Sequence, residues 1–180
     1  MGELRSGGFT LLELLLVLSI LGVVAVVAIP SFHSAERQHL DLAAEEFAQA
    51  IRYARSEAMR VGEPRGFRQE SSAKRIRLFR PDTSTSPWTP IYDIYHPVSR
   101  QLVDIELDKH PFAAADTLSL NATYQGTCST AGEIYFDARG TPWCTDPETV
   151  LLDQFDLTFT LGSYARVVTV HGLSGRVTVQ

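Results

Sequence analysis

The stretch GFTLLELLLVLSILGVVAVVAIP, residues 8–30, decides how this chain folds. Residues 9–29 are apolar apart from Thr10, Glu13, Ser19 and Gly22. Their length matches the ~20 residues that a helix needs to cross the hydrocarbon layer of a bilayer. We therefore predict a transmembrane helix segment over residues 9–29 and a soluble remainder after it.

Glu13 is the unusual residue of this span. A charged side chain at the centre of a bilayer costs roughly 2.5–3.5 kcal/mol on insertion scales, so a charge at membrane depth tends to have a specific partner. The alternative is a tolerated glutamate that extends its carboxylate toward the membrane interface. The pattern predicts a partner for Glu13 but does not identify it.

A cleaved signal peptide and an ordinary anchor are the alternatives for the N-terminal segment. A secretory signal peptide has an apolar region of about 7–15 residues and then a small-residue cleavage site, but this apolar run is longer and residues 28–38 contain no such site. An ordinary uncleaved anchor explains the span but not Glu13 or the glycines before Phe9. The leader MGELRSGG is short enough to stay in the cytoplasm, which predicts that the soluble part lies outside it.

A second helical pattern follows Pro30. Apolar residues recur there at three- and four-residue steps, as in an amphipathic helix that buries one face. These residues are Leu40, Ala43, Ala44, Phe47, Ala48, Ile51, Ala54 and Ala58. Because Gly62 and Pro64 are stop signals, we expect one helix from residue 9 to about residue 61, with a bend at Pro30.

From Gly66 onward the apolar period changes to two, which indicates strands. Short alternating runs between turn residues occur in KRIRLFR, RQLVDIEL, TLSLNAT, GEIYFD, FDLTFTL, ARVVTVHG and GRVTV. DARG (137–140) and HGLSG (171–175) predict tight turns that join late strands into hairpins. PDTSTSPWTP (81–90) predicts a polar loop.

The expected fold class is α+β, a long N-terminal helix packed on a mainly antiparallel β-sheet. The helix has a transmembrane half and an amphipathic half. We divide the chain into a leader (1–8), a transmembrane helix segment (9–29), an amphipathic continuation of the helix (30–62) and a globular β domain (63–180).

Cys128 and Cys144 are the two cysteines of the chain. A domain outside the cytoplasm is in an oxidising environment, which favours one disulfide between them. A bridge across this loop stabilises by about 3 kcal/mol in the chain-entropy model. Two unpaired buried thiols are the alternative.

The junction GGFTLLE at residues 7–13 and the apolar run up to Pro30 resemble the leader and N-terminal segment of type IV pilins and pseudopilins. In that family a prepilin peptidase of the inner membrane cleaves after the last leader glycine and N-methylates the new first residue. The resemblance implies cleavage between Gly8 and Phe9 and methylation of Phe9. Glu13 and Pro30 then fall where the family places its glutamate and, in many members, a helix-bending proline.

The resemblance also implies a partner for Glu13. In filaments of this family, the N-terminal amine of one subunit is close to the glutamate of its neighbour. A pair between the Phe9 amine and Glu13 of the next subunit relieves two desolvated charges, whereas a wrong axial register leaves both unpaired. Glu13 and Pro30 are therefore the expected assembly residues.

Further stretches, AIRYARSEAMRVGEP (50–64), IYFDARGTP (134–142) and VVTVHGLSGRVTV (167–179), resemble the GspH/FimT family of minor pilins and pseudopilins, MSHA-pilus proteins included. This resemblance implies a minor subunit of a type II secretion pseudopilus or a type IV-like pilus, in initiation or capping. The implied location is the bacterial inner membrane, with a single pass and a periplasmic C-terminal domain. The implied partners are other pilin subunits, the prepilin peptidase, the inner-membrane assembly platform and the lipid bilayer.

No motif indicates an enzyme. The histidines lack metal-ligand spacing and the cysteines lack a C-x-x-C pair, and the chain has no G-x-S-x-G and no phosphate-cradling glycine loop. Asp137 in FDARG is expected to form a turn rather than to act as an acid. We predict no enzymatic activity, no cofactor and no metal site.

Nucleic-acid binding is the alternative function, as a DNA-uptake or adhesion subunit. The net charge is −5, but residues 52–80 hold nine basic and three acidic residues, an excess of six, so the remainder carries −11. Such a basic stretch attracts phosphate with salt-sensitive affinity. Alternatively, these arginines face acidic patches of neighbouring subunits or are solvated.

The candidate nucleic-acid contacts are Arg75, Arg77 and Arg176. Some FimT-like minor pilins bind DNA through a Gly-Arg-x-Arg element near the C-terminus. This chain has Gly-Arg-Val-Thr at residues 175–178, so the second arginine is missing. A nucleic-acid partner is therefore the less favoured expectation.

Overall fold

The computed structural model describes residues 10–70, 72, 74–85, 88–109, 118–126, 128, 132–144 and 150–180, but not the side chains of residues 26–36. The chain divides into two units, residues 1–36 and 37–180. The predicted cleavage site at Gly8 and Phe9 lies outside the described residues, and so does the side chain of Pro30.

One α-helix, α1, covers Leu11–Val61. Thr10 precedes it, and the hydroxyl oxygen of Thr10 accepts a hydrogen bond from the backbone N–H of Glu13 at 3.2 Å, as an N-cap does. At the other end the N–H of Gly62 donates to the carbonyl of Ala58 at 2.9 Å, and Pro64 cannot continue the helix. The predicted helix end is confirmed.

Ten strands follow in the described part of the chain. They are β1 (Arg65–Glu70), β2 (Arg75–Asp82), β3 (Thr89–Ile91), β4 (Asp104–Glu106), β5 (Ser119–Gln125), β6 (Glu133–Phe136), β7 (Pro142–Trp143), β8 (Gln154–Leu161), β9 (Tyr164–His171) and β10 (Val177–Val179). Every described strand pair is antiparallel.

The strands form two sheets where the sequence predicted one. A six-stranded sheet has the order β3-β2-β1-β6-β7, with β4 also paired to β2, and a four-stranded sheet has the order β10-β9-β8-β5. In β8 every second residue is buried, as the side-chain alternation of a strand with one buried face requires. The α+β class, a helix packed on antiparallel sheet, is confirmed.

The predicted face of the helix is buried within unit 37–180. All eight apolar residues of that face are buried there. Phe47 at its centre meets the ring of Phe159 edge-on, with 5.1 Å between ring centroids. The alanines on either side let the sheet come close to the helix backbone, so the core forms between α1 and the inner side chains of the strands.

The segment PDTSTSPWTP differs from the prediction of a loop. β2 extends through Asp82 and β3 begins at Thr89, and the two pair antiparallel with Pro81 opposite Pro90. Pro90 is tolerated because β3 lies at the edge of the sheet, and Pro81 because it lies beyond the pairing of β2 with β1, which ends at Phe79. β7 is likewise not visible in the sequence pattern, since a two-residue strand is too short to show alternation.

Candidate assembly site

The first turn of α1 holds Glu13 by local interactions. The carbonyl of Thr10 accepts hydrogen bonds from the N–H groups of Glu13 at 3.1 Å and Leu14 at 3.2 Å. A threonine N-cap followed three residues later by glutamate has the spacing of a capping box, and a carboxylate in the first turn suits the positive end of the helix dipole. Glu13 thus has a local helix-capping role available besides the predicted contact with a second subunit.

The N-terminal part of α1 exposes large apolar side chains on every side. Leu11, Leu12, Leu14, Leu15, Leu16, Val17, Leu18, Ile20, Leu21, Val23 and Val24 are all exposed. A helix that is apolar all round is normally covered by lipid or by protein.

The predicted membrane-spanning segment is not recovered from the structure. Judged on the described residues alone, no helix has the length and apolarity of a candidate membrane span. Residues 9–29 include Phe9 and the side chains of 26–29, which lie outside the described part.

The basic stretch 52–80 is largely neutralised within the domain. Eight of its nine basic residues form salt bridges: Arg52–Glu45, Arg60–Glu57, Arg65–Glu63, Arg68–Glu133, Lys74–Asp108, Arg75–Asp104, Arg77–Glu70 and Arg80–Asp93. Five of these carboxylates lie outside the stretch, so they offset most of the excess of six positive charges. The basic excess of this stretch is therefore mostly neutralised by contacts within the domain.

Of the predicted nucleic-acid residues, Arg75 and Arg77 lie on the same face of β2, whereas Arg176 is not brought together with them. Arg75 on β2 donates to both carboxylate oxygens of Asp104, one at 2.6 Å, and these hydrogen bonds raise the pKa of Arg75 although burial opposes them. Arg77 pairs with Glu70, and its guanidinium lies 3.9 Å from the centre of the Tyr92 ring. Arg176 precedes β10 in the other sheet and is exposed.

The predicted disulfide is present. Cys128 and Cys144 are bonded, with 5.8 Å between their Cα atoms, and both residues are buried. Cys128 follows β5 of the four-stranded sheet and Cys144 follows β7 of the six-stranded sheet. The bridge therefore links the two sheets.

Asp137 forms a turn, as predicted. One of its carboxylate oxygens accepts hydrogen bonds from the N–H groups of Arg139 and Thr141, both at 2.8 Å, and the other lies 3.4 Å from the indole nitrogen of Trp143. The carboxylate of Asp137 therefore stabilises the β6–β7 turn through these hydrogen bonds. Within the described residues, no group of three or more His, Cys, Asp or Glu side chains is placed to hold a metal ion.

Two arginines of α1 join the helix to the β6–β7 turn and to strand β10, which the sequence pattern did not predict. The Arg55 side chain donates from Nε to the carbonyl of Gly140 at 3.1 Å, and Arg52 donates to the carbonyl of Val177 at 3.3 Å. The available signal was their position beside the buried Ile51 and Ala54, where a long side chain can reach over the edge of the core.

A helix packed on two antiparallel sheets, behind an N-terminal methylation motif, defines a pilin-like subunit. The model of the prokaryotic N-terminal methylation motif matches residues 4–29, and the model of the type II transport protein GspH matches residues 43–174. The latter spans well over half of the chain, so the chain belongs to the GspH family.

Two solved structures of one protein show the same fold. The minor pseudopilin EpsH from the type 2 secretion system of Vibrio cholerae aligns with a TM-score of 0.54 and 13% identity, covering 79% of this chain and 96% of that chain. A second EpsH structure from Vibrio cholerae aligns with a TM-score of 0.54 and 14% identity, covering 79% of this chain and 93% of that chain. The type IV minor pilin FimU of Pseudomonas aeruginosa is also similar, with a TM-score of 0.47 and 20% identity, covering 81% of this chain and 90% of that chain. No curated protein matches the chain.

Proposed function

We propose that this chain is a minor subunit of a type II secretion pseudopilus or a type IV-like pilus, with a structural role in initiation or capping. Residues 9–29 anchor it in the bacterial inner membrane in a single pass, and its C-terminal domain lies in the periplasm. A prepilin peptidase cleaves between Gly8 and Phe9 and methylates Phe9. The assembly platform of the inner membrane then inserts the mature chain into a filament together with other pilin subunits. The role of the chain is structural and needs neither catalysis nor a cofactor.

The observation that carries the proposal is Glu13 on an exposed apolar helix. Residues 11–24 present leucines, isoleucine and valines that nothing in the described structure covers, and a single carboxylate stands among them. A neighbouring subunit supplies apolar cover for the helix and, through its N-terminal amine, the countercharge for Glu13. Because a misplaced neighbour leaves both charges unpaired, the pair selects the axial position of one subunit against the next.

The test compares three substitutions at Glu13 in the full chain. Glu13→Ala removes both the charge and the polar group that can cap the helix, Glu13→Gln keeps a polar group of the same size without the charge, and Glu13→Asp keeps the charge. We expect all three variants to reach the membrane and to lose the leader. Immunoblotting of the sheared filament fraction measures incorporation, and we expect only Glu13→Asp to remain detectable there.

The Gln variant separates the two roles of Glu13. If Glu13→Gln is incorporated as well as the natural chain, the helix-capping role is sufficient and the proposed charge pair is wrong. Glu63→Gln, which removes an exposed carboxylate of the β domain, is the matched control and leaves incorporation unchanged.

The leader is tested separately. Gly7 and Gly8 lack side chains, which suits an extended backbone in a protease site at the membrane surface. We expect a bulky residue at position 8 to block cleavage and to leave the longer precursor, seen as slower migration and as an intact leader by mass spectrometry. Unchanged mobility of that variant would instead indicate a flexible linker before an ordinary anchor.

The salt bridges do not favour the alternative of DNA uptake or adhesion through residues 52–80. Arg75 and Arg77 already have carboxylate partners, so phosphate binding has to break these pairs first. An electrophoretic shift assay at low and moderate salt tests this alternative, and a salt-sensitive shift would restore it.

A further inference from the structure

The positive charge that the salt bridges leave over is concentrated in one place. Among the described residues, five arginines have no salt bridge: Arg37, Arg55, Arg100, Arg139 and Arg176. Arg37 stacks on the ring of Tyr164. Three of the other four, Arg55, Arg139 and Arg176, belong to elements that touch one another.

These three elements meet at Gly140 and Gly175. A Cβ atom on Gly175 would overlap the carbonyl oxygen of Gly140, and a Cβ on Gly140 would lie 2.9 Å from the sulfur of Met59 and 3.0 Å from Nε of Arg55. Both glycines have positive φ, 78° and 60°. The β6–β7 turn, the β9–β10 turn and the last turns of α1 can approach this closely only because both positions lack a side chain.

Both turns are held by hydrogen bonds, so their side chains project from fixed backbone. In the β6–β7 turn, Asp137 accepts from two N–H groups, one of them that of Arg139. In the β9–β10 turn, the N–H of Gly175 donates to the carbonyl of His171 at 2.9 Å, and the N–H of Arg176 donates to the hydroxyl of Ser174 at 3.3 Å. A surface that is ordered before binding loses less entropy when it binds.

The same surface carries exposed apolar side chains. Leu173, in the β9–β10 turn, is 79% exposed and has φ of 52°, a left-handed conformation that a residue with a branched side chain rarely adopts. Met59 on α1 is 43% exposed. The hydrogen-bonded turn accounts for the left-handed backbone of Leu173 but not for the exposure of its side chain, which insertion into a partner would bury.

We propose that Arg55, Met59, Arg139, Leu173 and Arg176, which we call the arginine surface, dock an acidic patch with an apolar pocket on a neighbouring pilin-like subunit. Charge complementarity assigns carboxylates to the three guanidinium groups, and Leu173 fills the pocket between them. Arginine and methionine are enriched in protein interfaces, and arginine is frequent among the residues that dominate binding. The identity of the neighbour as a filament subunit rests on the proposed function.

The composition of the surface favours protein over nucleic acid. Phosphates also pair with arginine, but a sugar–phosphate backbone offers no pocket for Leu173 and Met59. Proteins that bind single strands stack the bases on aromatic side chains, and none of the five members of the arginine surface is aromatic. The experiment therefore has to distinguish a protein partner from a nucleic-acid ligand.

The experiment places a photo-crosslinking amino acid, benzoylphenylalanine, at position 173 of the full chain in producing cells. We expect a cross-linked product that mass spectrometry assigns to a protein with the N-terminal methylation motif. The same probe at position 98, where Val98 is also highly exposed, is the matched control and gives no such product.

Charge reversal then tests the guanidinium groups. Arg139→Glu and Arg176→Glu each lower the yield of the cross-link from position 173 about tenfold, as expected of residues that dominate an interface. Arg100→Glu reverses an exposed, unbridged arginine on the loop before β4 and leaves the yield unchanged. Equal effects of all three reversals would indicate a general charge effect and contradict the proposed surface.

Leu173→Asn provides a readout that does not depend on misfolding. Asparagine tolerates the left-handed conformation, so this variant keeps or raises the midpoint of thermal unfolding while incorporation into filaments falls. A cross-link to nucleic acid, or normal incorporation without any protein cross-link, overturns the docking inference alone. Absence of the natural chain from the filament fraction contradicts the proposed function instead.

Discussion

Two regions of the same helix use apolar residues in opposite ways. Residues 11–24 of α1 carry leucine, isoleucine and valine, and all of these are exposed, whereas residues 40–58 bury a face made mostly of alanine. Most side chains are small where a sheet of the same chain packs on the helix, and large ones predominate where the described structure supplies no cover. Side-chain size therefore distinguishes the helix segment that packs within the domain from the segment whose apolar side chains remain exposed.

The most damaging substitution should be Phe47→Ala, in the buried region. Phe47 is fully buried and packs against Phe159, so truncation leaves a cavity and costs about 3–5 kcal/mol of the free energy of unfolding. Denaturant titration of the full chain in detergent, followed by tryptophan fluorescence, measures the loss. Leu42→Ala, at an exposed position of the same helix, is the control and stays within about 0.5 kcal/mol.

Removal of the disulfide should have the next largest effect. The double variant Cys128→Ser, Cys144→Ser loses about 3 kcal/mol of unfolding free energy in the chain-entropy model, because the unfolded chain regains the freedom that the bridge removes. The same denaturant titration with and without reductant checks this. The natural chain in reductant should match the variant, and equal stability of the oxidised and reduced chains would contradict the expectation.

High pH should destabilise the domain through Tyr124. Burial, assisted by the charge of Glu133, raises the pKa of Tyr124 to about 12 from the ordinary value of 10.0. The neutral phenol is thus favoured in the folded state, and the stability it contributes is complete below pH 10 and is lost as the pH rises toward 12. The difference of two units corresponds to roughly 2.7 kcal/mol at most.

The measurement for Tyr124 is unfolding free energy at several values between pH 9 and pH 12. Tyr124→Phe removes the titrating hydroxyl and should flatten this part of the curve. Tyr95→Phe, at an exposed tyrosine, is the control and should leave the slope as in the natural chain. An unchanged slope in Tyr124→Phe would assign the alkaline loss to other groups.

The smallest effect is expected in the exposed region of the helix. Leu15→Ala should change the unfolding free energy of the domain by no more than about 0.5 kcal/mol, because Leu15 is exposed and belongs to residues 1–36. Its incorporation into filaments should nevertheless fall. A loss of stability similar to that of Phe47→Ala would remove the distinction between the two regions.

The helix was the part of the fold most open to prediction. Its buried face repeats with the helical period over five turns, and Gly62 and Pro64 mark its end, so local sequence was sufficient. Strand β8 alternates clearly because one of its faces packs on the core. β3 was missed since three residues with a proline show no period, and the division into two sheets depends on pairings between distant strands.

The charged residues show more clearly what could not be predicted from the sequence. Nine basic residues close together in sequence suggested an anionic ligand, but five of their carboxylate partners come from other parts of the chain, such as Asp104 for Arg75. The arginine surface was missed for the same reason. Arg55, Arg139 and Arg176 are far apart in sequence, and only the contact between Gly140 and Gly175 brings them together.

The position of the helix in the chain also determines when the domain can be completed. Several contacts of the helix join residues that are more than a hundred positions apart in sequence. They are Phe47 with Phe159, Asp41 with Arg166, and Arg52 with the carbonyl of Val177. Long sequence separation makes folding slow, since loop closure precedes any gain from contact. The alanine face of α1 therefore stays uncovered until the last strands have formed, and during that interval a chaperone can bind it.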